Sequence, residues 1–519
     1  MPENVFDLLD MNVDFAETAM IWHDNPITYA ELRDAALNVA NTLKERGIGQ
    51  GDVVSLLFPN SPAFVATYFA CWYLGAIANP LNSRLPAGEL GPLINHAQSK
   101  LVVTGPTFVD TARESTDLSQ MARKQHISSD PKGSSVSIWE FETEDLVVSA
   151  GEDRSTMGPG GNQPAALIYT SGTTSEPKGV LLSHTNLLSD ARGISQRLGG
   201  GSRRTVCFMP LFHCNALIYS HLSTFCEGGS VVLLSKFSAS GLWDDIERHG
   251  ADNFSCPPTV LAMLLDRTPV DRPTPSSLRF VKVGAAPLPE SLANAFERRF
   301  DISLVEGYGM TEATATSVMR DPELPRISGT VGPALNGQRI RIVDDTGSEL
   351  SAHQIGDIEI AGDTIMLGYH RDPNRTSETV IDGWLSTGDI GCLEIDGNLR
   401  LTGRRKEIII RGGENIFPSS LERILESHPG VIEGAVYGIS DSIWGESPVA
   451  AVVPKPGLDL EQLAEFVRRR VADFEMPIEF RLMTEIPRNA IGKIQRHQLQ
   501  RTHTHTHTRG IDLEKERQV

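Results

Sequence analysis

The sequence predicts an α/β protein, with a large N-terminal domain of two α/β lobes and a β-rich subdomain, followed by a small mixed α+β C-terminal domain. Three observations lead there. Short apolar runs alternate with helical periodicity from Ile27 to about Gly309, period-2 runs between Gly and Asp turns then take over, and the mixed pattern returns beyond Gly403 on a smaller scale. At 519 residues the chain exceeds one ordinary core, given about 100 to 200 residues per domain. The predicted divisions are residues 1–402, residues 403–500 and a polar tail over 501–519.

In chain order, ITYAELRDAALNVANTLKERG reads as a helix, DVVSLLF as a strand, SPAFVATYFACWYLGA as a buried helix and KLVVTG as a strand. Gly47, Gly51, Pro80, Asn82 and Pro86 punctuate them. Turn formers dominate from Pro106 to Asn162, predicting variable connections and edge elements. AALIYT is a strand running into a glycine-rich loop, and LLSHTNLLSDARGISQRL behind it reads as a helix. The runs VCFMPLF, SVVLLS, DNFSCPP, LRFVKVG and SLVEGYG build a second lobe, and RIRIVDD, GDIEIAG and GNLRLTG supply the β-rich part. KEIII, SSLERILESHP, GAVYGIS, VAAVVP and LEQLAEFVRRRVADF make the last module. The tail RTHTHTHTRG would align three histidines on one face if extended, a metal-site pattern, but its composition reads as a solvated segment.

Hydrophobic content of 40% with 22% charged residues is that of a globular chain. A formal charge of −19 argues against a nucleic-acid partner, so any anion must be met by a local basic pocket. Six cysteines at irregular spacings, without a C-x-x-C pair, argue against zinc and disulfides and fit a reducing cytoplasm. The start MPENVFDLLDMNVDF lacks a targeting pattern, and no run reaches the roughly 18 apolar residues of a membrane span. The expectation is a cytoplasmic protein without integral membrane contact; a homodimer is an open option.

The loop Tyr169 to Gly179 offers glycines, several hydroxyls (Thr170, Ser171, Thr173, Thr174) and the cation Lys178, which together suit polyphosphate. Gly172 to Lys178 has the spacing of the common nucleotide loop. Pro177, which has no N–H, stands in place of its second Gly, and Gly179 replaces its magnesium-binding Ser or Thr. A GTPase-like reading therefore fails twice. The loop must act through hydroxyls, the remaining amides and Lys178.

With YTSGTTSEPKGV, the motifs TYAEL, GDVVSLLFPNS, GAIANPLNSRL, PLFH, GYGMTEA, GWLSTGD, GRRKEIIIRGGENIFPSSLE and PRNAIGKIQR span nearly the whole chain in order. In these it resembles the adenylate-forming superfamily, in its AMP-forming acyl- and aryl-CoA synthetase branch. The resemblance implies ATP, Mg²⁺ and coenzyme A as co-substrates and cofactor, a small carboxylic acid as partner, and a C-terminal domain that rotates about a hinge.

Residue by residue, the resemblance places Glu312 and Thr170 on Mg²⁺, Thr311 at the α-phosphate, and Lys178 with Ser171, Gly172, Thr173 and Thr174 on the phosphates. Tyr308, with Glu306 and Gly307 before it, stacks on adenine opposite Gly284, Ala285 and Ala286. Asp389 and Arg404 take the ribose hydroxyls. Lys493 swings in to bridge the substrate carboxylate and phosphate during adenylation, Lys406 is the hinge, and Gly412, Gly413 and Trp444 lie along the pantetheine passage. His213 stands beside the substrate carboxylate; a general base is unnecessary, because a carboxylate is already ionised at neutral pH. The acyl pocket falls to His213, Cys214, Asn215, Val283, Gly309 and Met310, whose mixed polarity, with Thr314 nearby, suits a small or medium acid: short- to medium-chain, carnitine-like or aryl. Two rival readings remain at this stage, a ligase that loads carrier-protein phosphopantetheine and a non-catalytic nucleotide sensor.

Overall fold

The computed structural model describes residues 3–10, 17–126, 136–141, 158–170, 178–201, 203–488, 494–503 and 510–512. Two sheets form the lobes. In the first, strands lie in the order Gly368–Tyr369, Lys178–Ser183, Pro164–Thr170, Ile77–Pro80, Val53–Leu57, Leu101–Thr104 and Ser137–Glu140, parallel from Pro164–Thr170 onward. In the second, the order is Val318–Met319, Ser303–Tyr308, Phe280–Val283, Asn253–Cys256, Arg204–Cys207, Ser230–Leu233, Thr18–Trp22 and Asn25–Thr28, parallel except for the two end strands. The central strands are covered on both faces, which is why they read as continuous Val, Ile and Leu runs rather than as alternation.

One core joins the lobes. The helix Pro62–Leu74 is capped by Ser61, which accepts from Phe64 N, opens on Pro62 and ends at Gly75 with φ 68°. It is apolar all round because it is buried all round; Phe64, Phe69 and Trp72 pack with Tyr29, Phe225 and Val305. A second cluster beneath the far face of the eight-stranded sheet gathers Trp243, Phe254, Val281, Val283 and Phe296.

The stretch expected to be variable connections contains the helix Val109–His126, packed on the helix Ala87–Ala97. Its contact face is small and hydroxylic. Ser115 and Thr116 donate to the carbonyls four residues back, at 2.6 Å each, and Gly91 lets the helices close, since a Cβ there would lie 3.0 Å from Ser115 O. Such a face has little apolar periodicity to detect.

The β-rich part is an antiparallel sheet of Gln338–Val343, Gly356–Gly362, Trp384–Leu393 and Val380–Ile381, with Leu399–Arg404 paired to Trp384–Leu393. The last of these strands runs across the division expected at 402, ending at Arg404. The C-terminal sheet holds Val431–Asp441, Gly445–Pro454 and Glu479–Leu482, flanked by the hairpin Ile409–Arg411 and Glu414–Ile416. The helix Arg496–His503 crosses the division expected at 500, with Leu499 buried, and Gly510–Asp512 adds an edge strand to Glu479–Leu482. The segment read as a solvated tail is thus partly structured; His505 and His507 lie outside the described residues. Among the described residues no helix is long and apolar enough to cross a membrane.

Candidate active site

Thr170 and Lys178 are directly opposed at the open end of two antiparallel strands, so residues 171–177 connect a hairpin. This corrects the reading of strand, loop and helix. The chain returns as the strand Lys178–Ser183 before the helix His184–Arg197 begins at its Ser183 cap, so Leu181, Leu182 and Ser183 are strand, and a whole strand separates Lys178 from that helix. Ser171, Gly172, Thr173 and Thr174 lie outside the described residues, as does Lys493. Gly179 has a packing reason: a Cβ there would stand 2.9 Å from Leu167 Cδ1 and 3.2 Å from the Tyr169 ring.

Glu312 sits in a single helical turn, Thr311–Ala313, after the strand Ser303–Tyr308, and is 8% exposed. Its Oε1 accepts from the Tyr369 hydroxyl at 2.9 Å, and its carbonyl accepts from Met366 N. Burial, then the Glu312 charge, raises the Tyr369 phenol above its ordinary range and keeps it a donor. Because Tyr369 pairs with Val180, this bond ties Glu312 to the strand that follows the phosphate loop. Tyr369 has no signal of its own in the sequence.

Asp389 lies opposite Arg404 on paired strands, with Arg404 Nε 2.8 Å from Oδ1, while the Tyr308 hydroxyl donates to Oδ2 at 2.7 Å. Burial first, then the Asp389 charge, drives the Tyr308 pKa well up. Three residues expected around the nucleoside are therefore brought together. Glu306 is different: its carboxylate is 3.8 Å from Arg326, and burial pushes its pKa up to about 7 against the Arg326 charge. A nucleotide contact from Glu306 would have to come from its backbone.

Gly284 and Gly307 are small because Lys282 lies between them. A Cβ at Gly284 would be 3.1 Å from Lys282 Nζ, and one at Gly307 3.3 Å from Lys282 Cε. At Gly309 a Cβ would meet Ala315 O at 2.2 Å. Ala285 is exposed with φ 69°, and Ala286 is half-buried. Val283 is corrected: the pleat of Phe280–Val283 turns it into the cluster with Phe254 and Val281, and presents Lys282 on the face towards the site. Lys282 is 4% exposed, its ammonium lies 5.4 Å from the Tyr219 ring centroid, and it has no hydrogen-bond partner among the described residues. Burial pulls its pKa down to about 8, opposed by the charge of Asp190, whose Oδ2 accepts from Thr316 N and whose Oδ1 is buried without a partner.

His213 closes the turn from Pro210, and burial, reinforced by Arg84, lowers its pKa to about 4, so the imidazole is neutral near pH 7. Beside it Cys214 is buried against Thr311, its thiol pushed up to about 12, and Asn215 opens an eight-residue π-helix, Asn215–Leu222, with Oδ1 buried and unpartnered. Met310 packs at the core's edge, whereas Thr314 is fully buried, donating to Thr364 O at 2.6 Å.

Lys406 follows Arg404 in a short turn. Desolvation, then the like charges of Arg404 and Lys178, lower its pKa, while Glu407 and Asp389 oppose them, although the side chain stays largely exposed. Gly412 and Gly413, at φ 60° and 91°, are the two-residue turn between Arg411 and Glu414, a geometry that calls for glycine by itself. Trp444 is 49% exposed and covers this turn; a Cβ at Gly412 would meet its ring at 2.9 Å.

Among the described residues there is no cluster of three His, Cys, Asp or Glu side chains suited to a metal. Glu312 presents one buried, oriented carboxylate, and this fits Mg²⁺, which takes one or two carboxylates and completes its shell with phosphate oxygens and water.

Residues 13–370 match the model of the AMP-binding enzyme family and residues 420–493 that of the AMP-binding enzyme C-terminal domain. The chain belongs to this family. Within it the chain falls in the acyl- and aryl-CoA synthetase branch. Sulfoacetate–CoA ligase of Cupriavidus necator is 33% identical over 95% of this chain and 98% of its own. The crystal structure of ATP-bound MatB from Rhodopseudomonas palustris superposes with a TM-score of 0.88, at 29% identity, covering 97% of this chain and 99% of MatB. The o-succinylbenzoate CoA synthetase of Bacillus subtilis, solved with its acyl-adenylate intermediate, gives 0.82 at 29% identity over 96% and 98%.

Proposed function

We propose that the chain is an ATP-dependent, AMP-forming acid–CoA ligase acting on a small carboxylic acid. The observation that carries it is the linked set Tyr308, Asp389 and Arg404, which builds a nucleoside cradle one strand end away from the buried carboxylate of Glu312.

In this reading a substrate carboxylate oxygen bonds to the α-phosphorus of ATP as the bond to pyrophosphate breaks. Asp389 and Arg404 hold the ribose, Tyr308 the adenine, and Lys178 with the hairpin hydroxyls the departing phosphates. Glu312 and Thr170 would hold Mg²⁺, which when bound neutralises phosphate charge. Neutral His213 orients the carboxylate without removing a proton, and Lys493 bridges it to the phosphate. The coenzyme A thiol then attacks the carbonyl carbon, AMP leaves with the electrons of the acyl–oxygen bond, and the thiol proton passes to solvent. Lys406 is the pivot between the two steps. The family's oxyanion chemistry rests throughout on positioned charge.

Lys282, a buried ammonium beside Gly284 and Gly307 without a hydrogen-bond partner among the described residues, supports an acid bearing a second oxygen-containing group. Sulfoacetate and o-succinylbenzoate, the acids named for two relatives, are of that kind. The test is a panel of plain, dicarboxylic, sulfonated and aryl acids with ATP, Mg²⁺ and coenzyme A, read by chromatography. AMP and an acyl-CoA are expected; ADP as the product, or turnover independent of coenzyme A, would exclude the reading.

A further inference from the structure

On the outer side of the phosphate hairpin, Gly368–Tyr369 pairs with Lys178–Ser183, and His370, Arg371 and the short helix carrying Arg375 follow directly. A cavity of about 230 Å³ opens there, bounded by Lys178, Gly179, His96 and those residues. It is far larger than the roughly 10–15 Å³ that admits one water.

Its walls are cationic. Among the described residues neither Lys178 nor Arg371 has a hydrogen-bonded or ion-paired side-chain partner, and Arg375 is only loosely met, with Nε 3.4 Å from Asp372 and its guanidinium 6.0 Å from the Tyr369 ring centroid. The cavity's acidic residue, Asp372, also caps the short helix through Arg375 N. His370 adds a ring whose Nε2 is buried without a partner, and burial, reinforced by His96 and then Arg371, lowers its pKa to about 4. Tyr369 is the shared wall: its ring borders the cavity while its hydroxyl reaches Glu312 on the nucleotide side. Lys178 belongs to both spaces.

We propose that this cavity is a second oxyanion site, which takes up pyrophosphate through Arg371 and Arg375 once it has parted from the α-phosphate. The step is non-covalent, and it rests on the adenylation reading above. A leaving group drawn sideways from the hairpin clears the space in front of the adenylate, and the same site slows its return.

The test is calorimetric titration of the full chain with pyrophosphate, inorganic phosphate and adenosine 3′,5′-bisphosphate, set beside steady-state kinetics, for the wild type and for Arg371→Asn with Arg375→Gln. Asn suits position 371, where φ is 60°. Pyrophosphate affinity is expected to fall at least about tenfold in the double variant, the worth of one charge-assisted hydrogen bond, while KM for ATP and coenzyme A moves less than about twofold. Unchanged pyrophosphate binding overturns the proposal. So does a parallel loss of ATP affinity, which would put the arginines in the nucleotide site, or a loss confined to coenzyme A and the bisphosphate, which would assign the cavity to that cofactor's phosphate. Tighter binding of inorganic phosphate than of pyrophosphate would overturn it too. The titration needs no acid substrate, so a failed acid panel and a failed pyrophosphate titration are separate results.

Discussion

The Tyr369 hydroxyl donates to Glu312 Oε1 at 2.9 Å, joining a carboxylate suited to Mg²⁺ to the strand beside the phosphate hairpin. Tyr369→Phe removes the donor and keeps the ring. A buried hydrogen bond to a charged group is worth about 1.5–3 kcal/mol, so the apparent Mg²⁺ constant for AMP formation should weaken about tenfold or more. An unchanged Mg²⁺ titration would show that the hydroxyl does not orient the ligand.

Lys282→Met keeps the length of the side chain and deletes its charge. kcat/KM for acids with a second oxygen-bearing group should fall about tenfold or more, with much smaller losses for plain alkyl acids. Equal losses across the panel would make Lys282 a structural residue only.

These two residues mark what the sequence could and could not show. Tyr308, Asp389, Arg404 and Glu312 lie in short motifs that stand out in the sequence, and strand pairing, with the Tyr308 hydroxyl bonded to Asp389, brings the first three together. Val283 and Lys282 differ by one position, and a strand's two faces look alike when both are buried, so no sequence pattern tells that Val283 packs into the cluster with Phe254 while Lys282 takes the opposite face. Tyr369 reaches Glu312 across 57 positions by sheet pairing, which no local pattern encodes. The helix Val109–His126 escaped because Ser115, Thr116 and Gly91 make its interface without an apolar stripe.

If Lys493 acts as proposed, Lys493→Ala should cripple adenylation and spare thioester formation from supplied acyl-adenylate, since its charge would then serve the phosphate step alone. Single-turnover assays of each half-reaction decide it. Equal loss in both would point to a folding defect.

His213, with its pKa held near 4, is uncharged from about pH 6 upward. His213→Gln should therefore leave the shape of the pH–rate profile between pH 6 and 8 unaltered while lowering its height. The unfolded chain takes up the proton first, near pH 6.5, so the wild type should lose stability relative to the variant as pH falls from 6.5 towards 4, by up to about 1.4 kcal/mol per unit. Denaturation at pH 7 and pH 5 measures the difference, and the opposite sign would mean that His213 gains a carboxylate partner.

Arg496 grips Glu422 through two contacts, at 2.7 and 2.9 Å, and reaches Glu407 at 2.9 Å, next to the proposed pivot. Glu422 is 8% exposed, and burial raises its pKa. Arg496→Met should destabilise the C-terminal domain by about 3–5 kcal/mol because it strands a buried charge, and adding Glu422→Gln should restore part of that. Thermal unfolding of the single and double variants checks it; no recovery in the double variant would mean the arginine acts mainly through Glu407.

The pairing of Thr18–Trp22 with Ser230–Leu233 bears on how the chain is made. Met20 emerges from the ribosome long before Val231, its sheet partner, exists, so the hairpin of Thr18–Trp22 and Asn25–Thr28 must wait with one edge unpaired while six of the seven strands of the other sheet are synthesised. Heterologous production should for that reason be limited by protection of the nascent N-terminus, and slower translation or more chaperone should raise the soluble yield more than changes to the finished fold would.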